Sequence, residues 1–363
     1  MANLSTCPPL SRDSVIQARK LIQSHIHFTP VLTNKTLNRM ASSPREPPSA
    51  GGRDVAKPIL RLWFKCENMQ RTGAFKARGA FHAVERLKQE PGWLENGGKE
   101  KGVVGYSAGN HAQALALAAK ESGIISYIVM PTTTRPNKIA ATEGYGANVI
   151  FSGPDFSTRE AVAAKIVAET GARLVPPHDH PDIILGQATA GLEMQEQVAE
   201  LGVKLDAIIA PCSGGGLLSG TALSCEGTGV RVFGAEPELD GADDGRRGYY
   251  SGTRITHVKT RTVADGLIGT ISATPWDLIY ERRLVSGMYA VSEEEILDAM
   301  KLILERLKIW VEPSSAVPLA VALYNEEFRS MVEREAGEKG WDLGLIVSGG
   351  NIGVDGMAKL FAS

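Results

Sequence analysis

The chain has 363 residues, with 39 lysines and arginines against 41 aspartates and glutamates, and its formal net charge is −2. This length predicts about two domains. The balanced charge excludes the strong basic field of a nucleic-acid-binding protein, and the 43% hydrophobic content excludes a generally disordered chain, so we expect a small-molecule partner.

The four cysteines, Cys7, Cys66, Cys212 and Cys225, form no CxxC pair. Their irregular spacing favours thiols in a reducing compartment over a disulfide framework. The first 14 residues lack the basic flank and apolar core of a signal peptide, and no apolar run approaches the roughly 18 residues of a transmembrane helix. We therefore expect a cytoplasmic protein without a membrane-spanning segment.

The first part of the chain mixes helices with a strand. Helical periodicity predicts a helix over 11–25, with Ser11 or Asp13 as its cap. The stretch 41–57 concentrates Ser, Pro and Gly and predicts a surface loop. A strand over 59–65 and a helix over about 76–90 follow.

From residue 103 onward, short apolar runs alternate with helical patterns. The first series has strands over 103–106, 126–130, 148–151 and 173–175, and helices over 112–121, 137–143 and 158–169. The second series has strands over 207–210, 230–235 and 343–348, and helices over 217–224 and 293–307. This alternation predicts right-handed βαβ units around parallel sheets, and the economical interpretation is two doubly wound α/β domains.

Lys76 follows a glycine-containing turn and begins a predicted helix. The positive end of a helix disfavours a cation and would lower the pKa of the lysine toward a nucleophilic neutral amine. The alternative is a solvated lysine on an amphipathic helix.

The segment 106–113 places small and polar residues between a predicted strand and helix. Backbone N–H groups there can hold an anion, and Ser107, Asn110 and His111 can add side-chain bonds. Simple helix capping is the alternative.

A run of glycines, Gly214 to Gly216, follows the strand at 207–210 and opens a helix. Unshielded amides and a helix amino terminus predict a bound phosphate, and a flexible hinge is the alternative.

The segment Ser348–Asn351 also follows a strand, at the edge where open α/β sheets bind ligands. Together with Lys76, these loops suggest a phosphorylated carbonyl cofactor held as a Schiff base.

This combination resembles the pyridoxal-phosphate enzymes of the tryptophan-synthase β-like fold, fold type II, and among them the serine/threonine dehydratase and serine racemase family. The resemblance runs from residues 27–33 to 348–351, and the loop 41–57 interrupts it as an insertion. It implies a large domain of residues 1–101 and 179–363, with a small domain, 102–178, inserted into it. It also implies a homodimer.

The family pattern assigns the cofactor contacts to Phe75, Lys76, Asn110, Ser213, Gly214, Gly215, Gly216, Leu217 and Ser348. Lys76 would be the Schiff-base lysine, Phe75 a wall of the pocket, and Asn110 the partner of the phenolic oxygen. Segment 213–217 would hold the phosphate, and Ser348 would face the pyridine nitrogen. The substrate carboxylate would be held by Ser107, Asn110 and His111, with Ala108 beside them.

The resemblance also implies a divalent cation, Mg²⁺ or Ca²⁺, on Glu236, the Ala242 carbonyl and Asp244, which are hard oxygen ligands. Compared with the family pattern, this sequence has about two additional residues between these positions. The alternative is a solvated acidic loop.

Ala108 bears on the reaction. Racemases of the family carry a serine there, opposite the lysine, whereas dehydratases commonly carry alanine. A methyl group cannot transfer a proton, so racemisation would need Ser107, Cys212 or Thr270 as the second base. We therefore expect dehydration and deamination of L-threonine or L-serine to a 2-oxo acid and ammonia. The alternatives are a serine racemase, another β-elimination or β-replacement enzyme, and a non-catalytic sensor of amino acid or cofactor.

Overall fold

A computed structural model describes residues 4–45, 55–153 and 156–362. The strands of this part of the chain are β1 (Val31–Thr33), β2 (Leu60–Cys66), β3 (Val103–Tyr106), β4 (Ser126–Pro131), β5 (Asn148–Ser152), β6 (Arg173–Leu174), β7 (Ala207–Pro211), β8 (Arg231–Pro237), β9 (Gly287–Val291) and β10 (Trp341–Val347).

The helices of the same residues are α1 (Arg12–Ile22), α2 (Lys35–Ala41), α3 (Lys76–Gln89), α4 (Gly98–Lys101), α5 (Asn110–Glu121), α6 (Pro136–Gly144), α7 (Phe156–Thr170), α8 (Pro181–Glu200), α9 (Gly216–Cys225), α10 (Asp244–Ser251), α11 (Ala273–Trp276), α12 (Glu293–Leu302), α13 (Pro313–Tyr324), α14 (Glu326–Ala336) and α15 (Val354–Leu360).

The strands form two sheets. The larger has the order β1-β2-β10-β7-β8-β9 and is parallel except for the edge strand β1, which runs antiparallel to β2. The smaller has the order β5-β4-β3-β6 and is parallel throughout. Every residue of β10 is buried, as a parallel strand covered on both faces requires. The predicted α/β class with parallel sheets is confirmed.

Both ends of the chain contribute to the larger sheet. In the register of β2 and β10, Leu60 lies opposite Trp341 and Cys66 opposite Val347. The smaller sheet is built wholly from strands between residues 103 and 174. The division into domains at 102 and 178 stays a prediction.

A buried ionic cluster joins β2, α3 and α8. Arg78 donates to Glu67 at 2.7 Å and to Glu193 at 2.8 Å, and Lys65 donates to Glu193 at 2.9 Å. All four side chains are almost fully buried. Since an unpaired buried charge is costly, each member of this cluster requires the others.

Most predicted elements lie within a residue or two of the observed ones. The predicted helix 11–25 ends earlier, at Ile22, and Ser11 caps it by accepting a hydrogen bond from Ser14 N. The helix predicted over 293–307 is α12 followed by a π-helical turn, Ile303–Leu307.

The loop predicted over 41–57 needs a correction at its first residue. Ala41 is the last residue of α2 and is buried, because the helix packs into the core. Residues 46–54 of the predicted loop lie outside the described residues.

All four cysteines are thiols. None of the helices in the described ranges combines the length and the apolar character that crossing a membrane requires.

Helices α3 and α8 cross closely at two glycines. A Cβ on Gly186 would lie 2.6 Å from Gly79 Cα and 2.7 Å from the Arg78 carbonyl oxygen, both backbone atoms that cannot rotate away. We therefore expect Gly186→Ala to lower the free energy of unfolding by about 1–3 kcal/mol, as overpacking does. Urea denaturation measures this change.

The matched control is Gly144→Ala, at the exposed end of α6, where an added Cβ meets no atom within 4 Å. That variant should be as stable as the parent or slightly more stable. Equal stability of Gly186→Ala and the parent would contradict the close crossing.

Candidate active site

The predicted functional loops come together at the carboxyl ends of the strands. Ala74 pairs with Gly349 in an isolated bridge, and Phe75 N donates to Ser348 O at 3.0 Å. Gly350 N donates to Gly73 O at 2.9 Å. The loop before α3 and the loop after β10 are therefore joined by backbone hydrogen bonds.

Lys76 lies at the amino terminus of α3. Its Nζ donates to the Pro177 carbonyl oxygen at 2.5 Å and lies 5.1 Å from the centre of the Phe75 ring. Burial lowers the pKa of the lysine to about 8. This environment differs from that of a solvated lysine, because a pKa of about 8 leaves roughly a tenth of the amine neutral at pH 7.

The glycine run forms a tight loop before α9. Gly215 has φ +89°, in the region that favours glycine, and a Cβ there would lie 2.6 Å from Pro275. A Cβ on Gly214 would collide with the His178 ring. No side chain caps α9, so the first N–H groups of the helix, including that of Leu217, have no intrahelical partner. The arrangement is that of an anion cradle.

Ser213, at the start of this loop, has its hydroxyl engaged elsewhere. The hydroxyl oxygen accepts a hydrogen bond from Gly269 N at 3.0 Å and donates to Gly269 O at 3.1 Å. Its backbone N–H, and not its side chain, is the group that can face an anion.

Asn110 connects the loop after β3 to the larger sheet. Its Nδ2 donates to Glu312 at 2.8 Å, and its Oδ1 accepts from Asn351 Nδ2 at 2.8 Å. Asn351 also donates to Thr72 O at 2.7 Å. These contacts span more than 200 residues, so the role of Asn110 goes beyond capping α5.

His111 is fully enclosed beside this loop, and its predicted role in binding the substrate carboxylate stays a prediction. Because a carbonyl can only accept, the 3.0 Å contact from His111 Nε2 to Val175 O places the ring proton on Nε2. Nδ1 is buried without a hydrogen-bond partner, and burial lowers the pKa of the imidazole to about 3. The neutral ring has no proton on Nδ1 to donate to a carboxylate, whereas the backbone N–H groups at the start of α5 can donate.

Ser107 and Ala108 lie in the same loop, partly exposed, and Ser107 Oγ accepts a hydrogen bond from Gly109 N at 3.2 Å. On the opposite side Ser348 is buried, with its hydroxyl 3.1 Å from that of Ser315.

Three residues that our sequence analysis did not assign also line this region. Glu312 is buried, and burial raises the pKa of its carboxyl group to about 7. His178 covers the glycine loop, and burial lowers the pKa of its imidazole to about 3. Thr72 has a positive φ of 58° and a buried hydroxyl without a hydrogen-bond partner. The sequence signal that could have identified Glu312 is its position as a lone acidic residue in the apolar stretch before α13.

The predicted cation ligands are buried, which contradicts the solvated-loop alternative. Glu236 is 1% exposed and accepts hydrogen bonds from Gly245 N at 3.2 Å and Arg246 N at 2.7 Å. Burial, and then the charge of Asp244, raise the pKa of Glu236 well above its ordinary value. Ala242 is buried beside them.

The two extra residues of this loop are accommodated locally. A 3₁₀ turn covers Leu239–Gly241, and Asp240 within it has φ 52°. Two neighbouring buried carboxylates disfavour each other's ionisation, so this donor set suits a cation that compensates both charges.

Comparison with known proteins decides the family. The profile described as "Pyridoxal-phosphate dependent enzyme" matches residues 52–337. The chain belongs to this family. It is 39% identical over 348 residues to the serine racemase of Dictyostelium discoideum, covering 95% of each chain. It is 37% identical over 351 residues to the L-threo-3-hydroxyaspartate ammonia-lyase of Saccharomyces cerevisiae, covering 96% of this chain and 95% of that protein.

Among solved structures, maize serine racemase is similar with a TM-score of 0.82 at 37% identity, covering 96% of each chain. The predicted fold type II architecture is thereby confirmed, and the chain is a pyridoxal-phosphate-dependent enzyme.

The pKa of Lys76 predicts how the cofactor-free protein takes up pyridoxal phosphate. Only a neutral amine condenses with an aldehyde, so the rate of uptake at a fixed cofactor concentration should rise as the pH increases through about 8 and level off above it. The appearance of the visible absorption band of the bound cofactor measures the rate.

His111 and His178 stay neutral above pH 5, so neither histidine should contribute an inflection near pH 6.5. Lys76→Ala is the control and should develop no such band. An inflection only near the ordinary lysine pKa of about 10.4 would contradict the desolvated environment.

Proposed function

We propose that this enzyme eliminates water from a β-hydroxy amino acid and releases a 2-oxo acid and ammonia. The observation that carries the proposal is that, among the described residues of the cleft, Lys76 is the group suited to act as a base at Cα, since the Glu312 carboxyl group is engaged by Asn110 at 2.8 Å. Lys76 has a pKa of about 8, whereas His111 and His178 have pKa values of about 3 and Ala108 carries only a methyl group. Elimination needs one base at Cα, and racemisation needs one on each face.

The other candidates for a second base are poorly suited. Burial raises the pKa of the Cys212 thiol well above its ordinary value. The Ser107 hydroxyl accepts the Gly109 N–H, and the Thr270 hydroxyl lies 3.5 Å from the Thr256 carbonyl oxygen. The hydrogen bond between Cys212 and Glu236 raises the pKa of the thiol further, so Glu236 does not activate Cys212 as a base.

The residues present fit the cofactor. The glycine cradle from Ser213 to Leu217 would hold the phosphate through backbone N–H groups, and Phe75 would form a wall. Asn110 would donate to the phenolic oxygen, and Ser348 would face the pyridine nitrogen. Bound pyridoxal phosphate supplies an electron sink that makes the Cα proton of an amino acid acidic.

Lys76 would attach the cofactor and take up the Cα proton at Nζ. The Pro177 carbonyl oxygen, 2.5 Å away, accepts a hydrogen bond from this amine and fixes its position. Because the amine is desolvated, it is a base with a pKa near the working pH, where general-base catalysis is efficient.

The loop 107–111 would bind the substrate carboxylate. Its Ser107 hydroxyl, its Asn110 amide and the backbone N–H groups at the start of α5 are the available donors. Holding the carboxylate fixes which bond at Cα stands perpendicular to the cofactor ring, and this orientation selects the bond that breaks.

For the substrate we propose L-serine or L-threonine. A 3-hydroxyaspartate is a second candidate, supported by the yeast relative named for that substrate, and serine racemisation is a second reaction, supported by the racemase relatives. A cytoplasmic homodimer completes the proposal. A sensor without catalysis, or another β-elimination or β-replacement, would give no 2-oxo acid from these hydroxy amino acids.

The assay that tests the reaction compares 2-oxo acid formation from the isomers of serine, threonine and 3-hydroxyaspartate with D-serine formation measured by chiral chromatography. We expect the parent enzyme to form 2-oxo acid from the L-hydroxy amino acid much faster than it forms D-serine. Ala108→Ser introduces a hydroxyl on the second face, and a positioned acid or base contributes about 10²- to 10⁴-fold, so D-serine formation should rise toward the low end of that range.

Ala108→Val is the matched control, since it adds bulk without a transferable proton and should not increase racemisation. Rapid D-serine formation by the parent enzyme would overturn the assignment in favour of the racemase.

We further propose a divalent cation, Mg²⁺ or Ca²⁺, on Glu236, the Ala242 carbonyl and Asp244. The proposal is supported by the burial of both carboxylates and by the raised pKa of Asp244, about 7, which burial causes. A cation would keep both groups ionised and connect β8 to α10.

Removal of this cation should lower the melting temperature, because an ion that binds only the folded state stabilises it. Thermal unfolding with and without a chelator measures the effect. Asp244→Asn should abolish the chelator response, whereas Asp240→Asn, in the exposed part of the same loop, should keep it. An unchanged response in Asp244→Asn would locate the cation elsewhere.

A further inference from the structure

A second set of metal-ligating side chains lies away from the cofactor cleft. Cys7, His180 and Asp182 each contribute one ligand atom, and the three atoms lie within 4.8 Å of one another. Cys7 follows the first turn of the described chain, Leu4–Thr6, whereas His180 and Asp182 form the start of α8. Residues more than 170 positions apart are thus brought together.

The distances suit a small tetrahedral ion. Cys7 Sγ is 3.8 Å from His180 Nε2 and 3.7 Å from Asp182 Oδ2. With zinc bonds of about 2.3 Å to sulfur and about 2.1 Å to nitrogen or oxygen, tetrahedral geometry requires ligand atoms about 3.3–3.6 Å apart. The two contacts of Cys7 need a contraction of a few tenths of an ångström, whereas His180 and Asp182, whose ligand atoms lie within 4.8 Å of each other, must approach by up to about 1.4 Å to complete the coordination.

The surroundings provide two further features. Asp182 is 7% exposed, and its second oxygen, Oδ1, is buried without a hydrogen-bond partner. A cavity of about 10 Å³ lies against His180 and Asp182, and its other walls are mostly apolar. A space of this size holds about one water molecule, which is the usual fourth ligand when the protein supplies three.

Two neighbouring arginines oppose a cation here: Arg86, and Arg173, whose charge acts on His180 but is paired with Glu90 at 2.7 Å. Arg86 Nε lies 3.6 Å from Asp182 Oδ1, and the Arg86 guanidinium also donates to Thr6 O at 2.7 Å. A bound divalent ion would be neutralised by two anionic ligands, the Cys7 thiolate and the Asp182 carboxylate. Arg86 then adds one net positive charge, but it does not occupy the site.

We propose that Cys7, His180 and Asp182 bind a zinc ion. The mixture of sulfur, nitrogen and oxygen donors selects Zn²⁺ over Mg²⁺ or Ca²⁺, which prefer oxygen alone. Zinc displaces the thiol proton of Cys7. Coordination by His180 Nε2 moves the ring proton to Nδ1, which ends the hydrogen bond that Asp182 N now donates to Nδ1 at 3.2 Å. One proton is released for each ion bound.

The proposed ion would fasten the wall of the cleft. The segment 175–182 carries the Pro177 carbonyl that accepts from Lys76 and the His178 ring against Gly214. Its far end carries His180 and Asp182. Zinc would therefore connect the turn around Cys7 to the segment that positions the reactive lysine, as a structural ion that contacts neither cofactor nor substrate.

The test uses the reduced, full-length holoenzyme, stripped of metal by a chelator and then supplied with excess Mg²⁺ so that oxygen-only sites are filled. Co²⁺ serves as the spectroscopic probe for zinc. We expect one Co²⁺ per chain, a thiolate-to-cobalt charge-transfer band and intense long-wavelength d–d bands of tetrahedral cobalt, all abolished by one equivalent of Zn²⁺. Zinc should also raise the melting temperature by about 3 °C or more at saturation.

Three variants discriminate the ligands. Cys7→Ser should abolish the charge-transfer band. His180→Asn keeps a good helix cap, because Asn accepts from the same backbone N–H, but removes the imidazole, so this variant should fold normally and lose the metal response. His257→Asn, at an exposed histidine, is the matched control and should bind cobalt like the parent.

Absence of the charge-transfer band in the parent, or its persistence in Cys7→Ser, would overturn the proposal. Weak octahedral bands without thiolate character would assign the bound cobalt to oxygen ligands and would also overturn it. Because none of these readouts depends on turnover, they are independent of the proposed elimination.

Discussion

The cleft depends on the buried guanidinium of Arg78, two residues after Lys76. Its contacts with Glu67 and Glu193 connect the first turn of α3 to the end of β2 and to the middle of α8. A charge buried this deeply is tolerated only while its partners stay in place, since removal of one partner costs about 3–5 kcal/mol. The ion pairs of Arg78 beneath the cleft therefore fix the orientation of α3, and with it the position of Lys76, the first residue of that helix.

Above this cluster, uncharged groups surround the lysine. The two buried histidines are neutral, the nearest contact of the amine is a carbonyl oxygen, and Glu312 is shifted toward its neutral form. With few compensating charges nearby, desolvation dominates the acidity of Lys76. The fold thus makes a reactive amine by withholding water and counterions, without needing a second cation beside it.

The sequence was sufficient for the parallel strands other than β9, which was not predicted, and for the loops that follow them, because turn glycines and apolar runs are local features. It did not predict α8, whose buried residues surround most of its circumference and leave no helical stripe to detect. Glu312 and His178 were missed because their partners lie far away along the chain. The tautomer of the His111 ring could not be predicted, because it depends on the Val175 carbonyl, 64 residues later.

The His178 ring occupies the space beside Gly214 that a side chain would otherwise fill, so the segment 175–182 closes over the glycine loop. Where this segment also covers a phosphate seated on that loop, the residence time of the phosphate would depend on the opening rate of a stretch of backbone as well as on the strength of the amide contacts. Slow exchange of an enclosed phosphate group does not require exceptional affinity. Loss of the cofactor during purification would then report on the movement of segment 175–182.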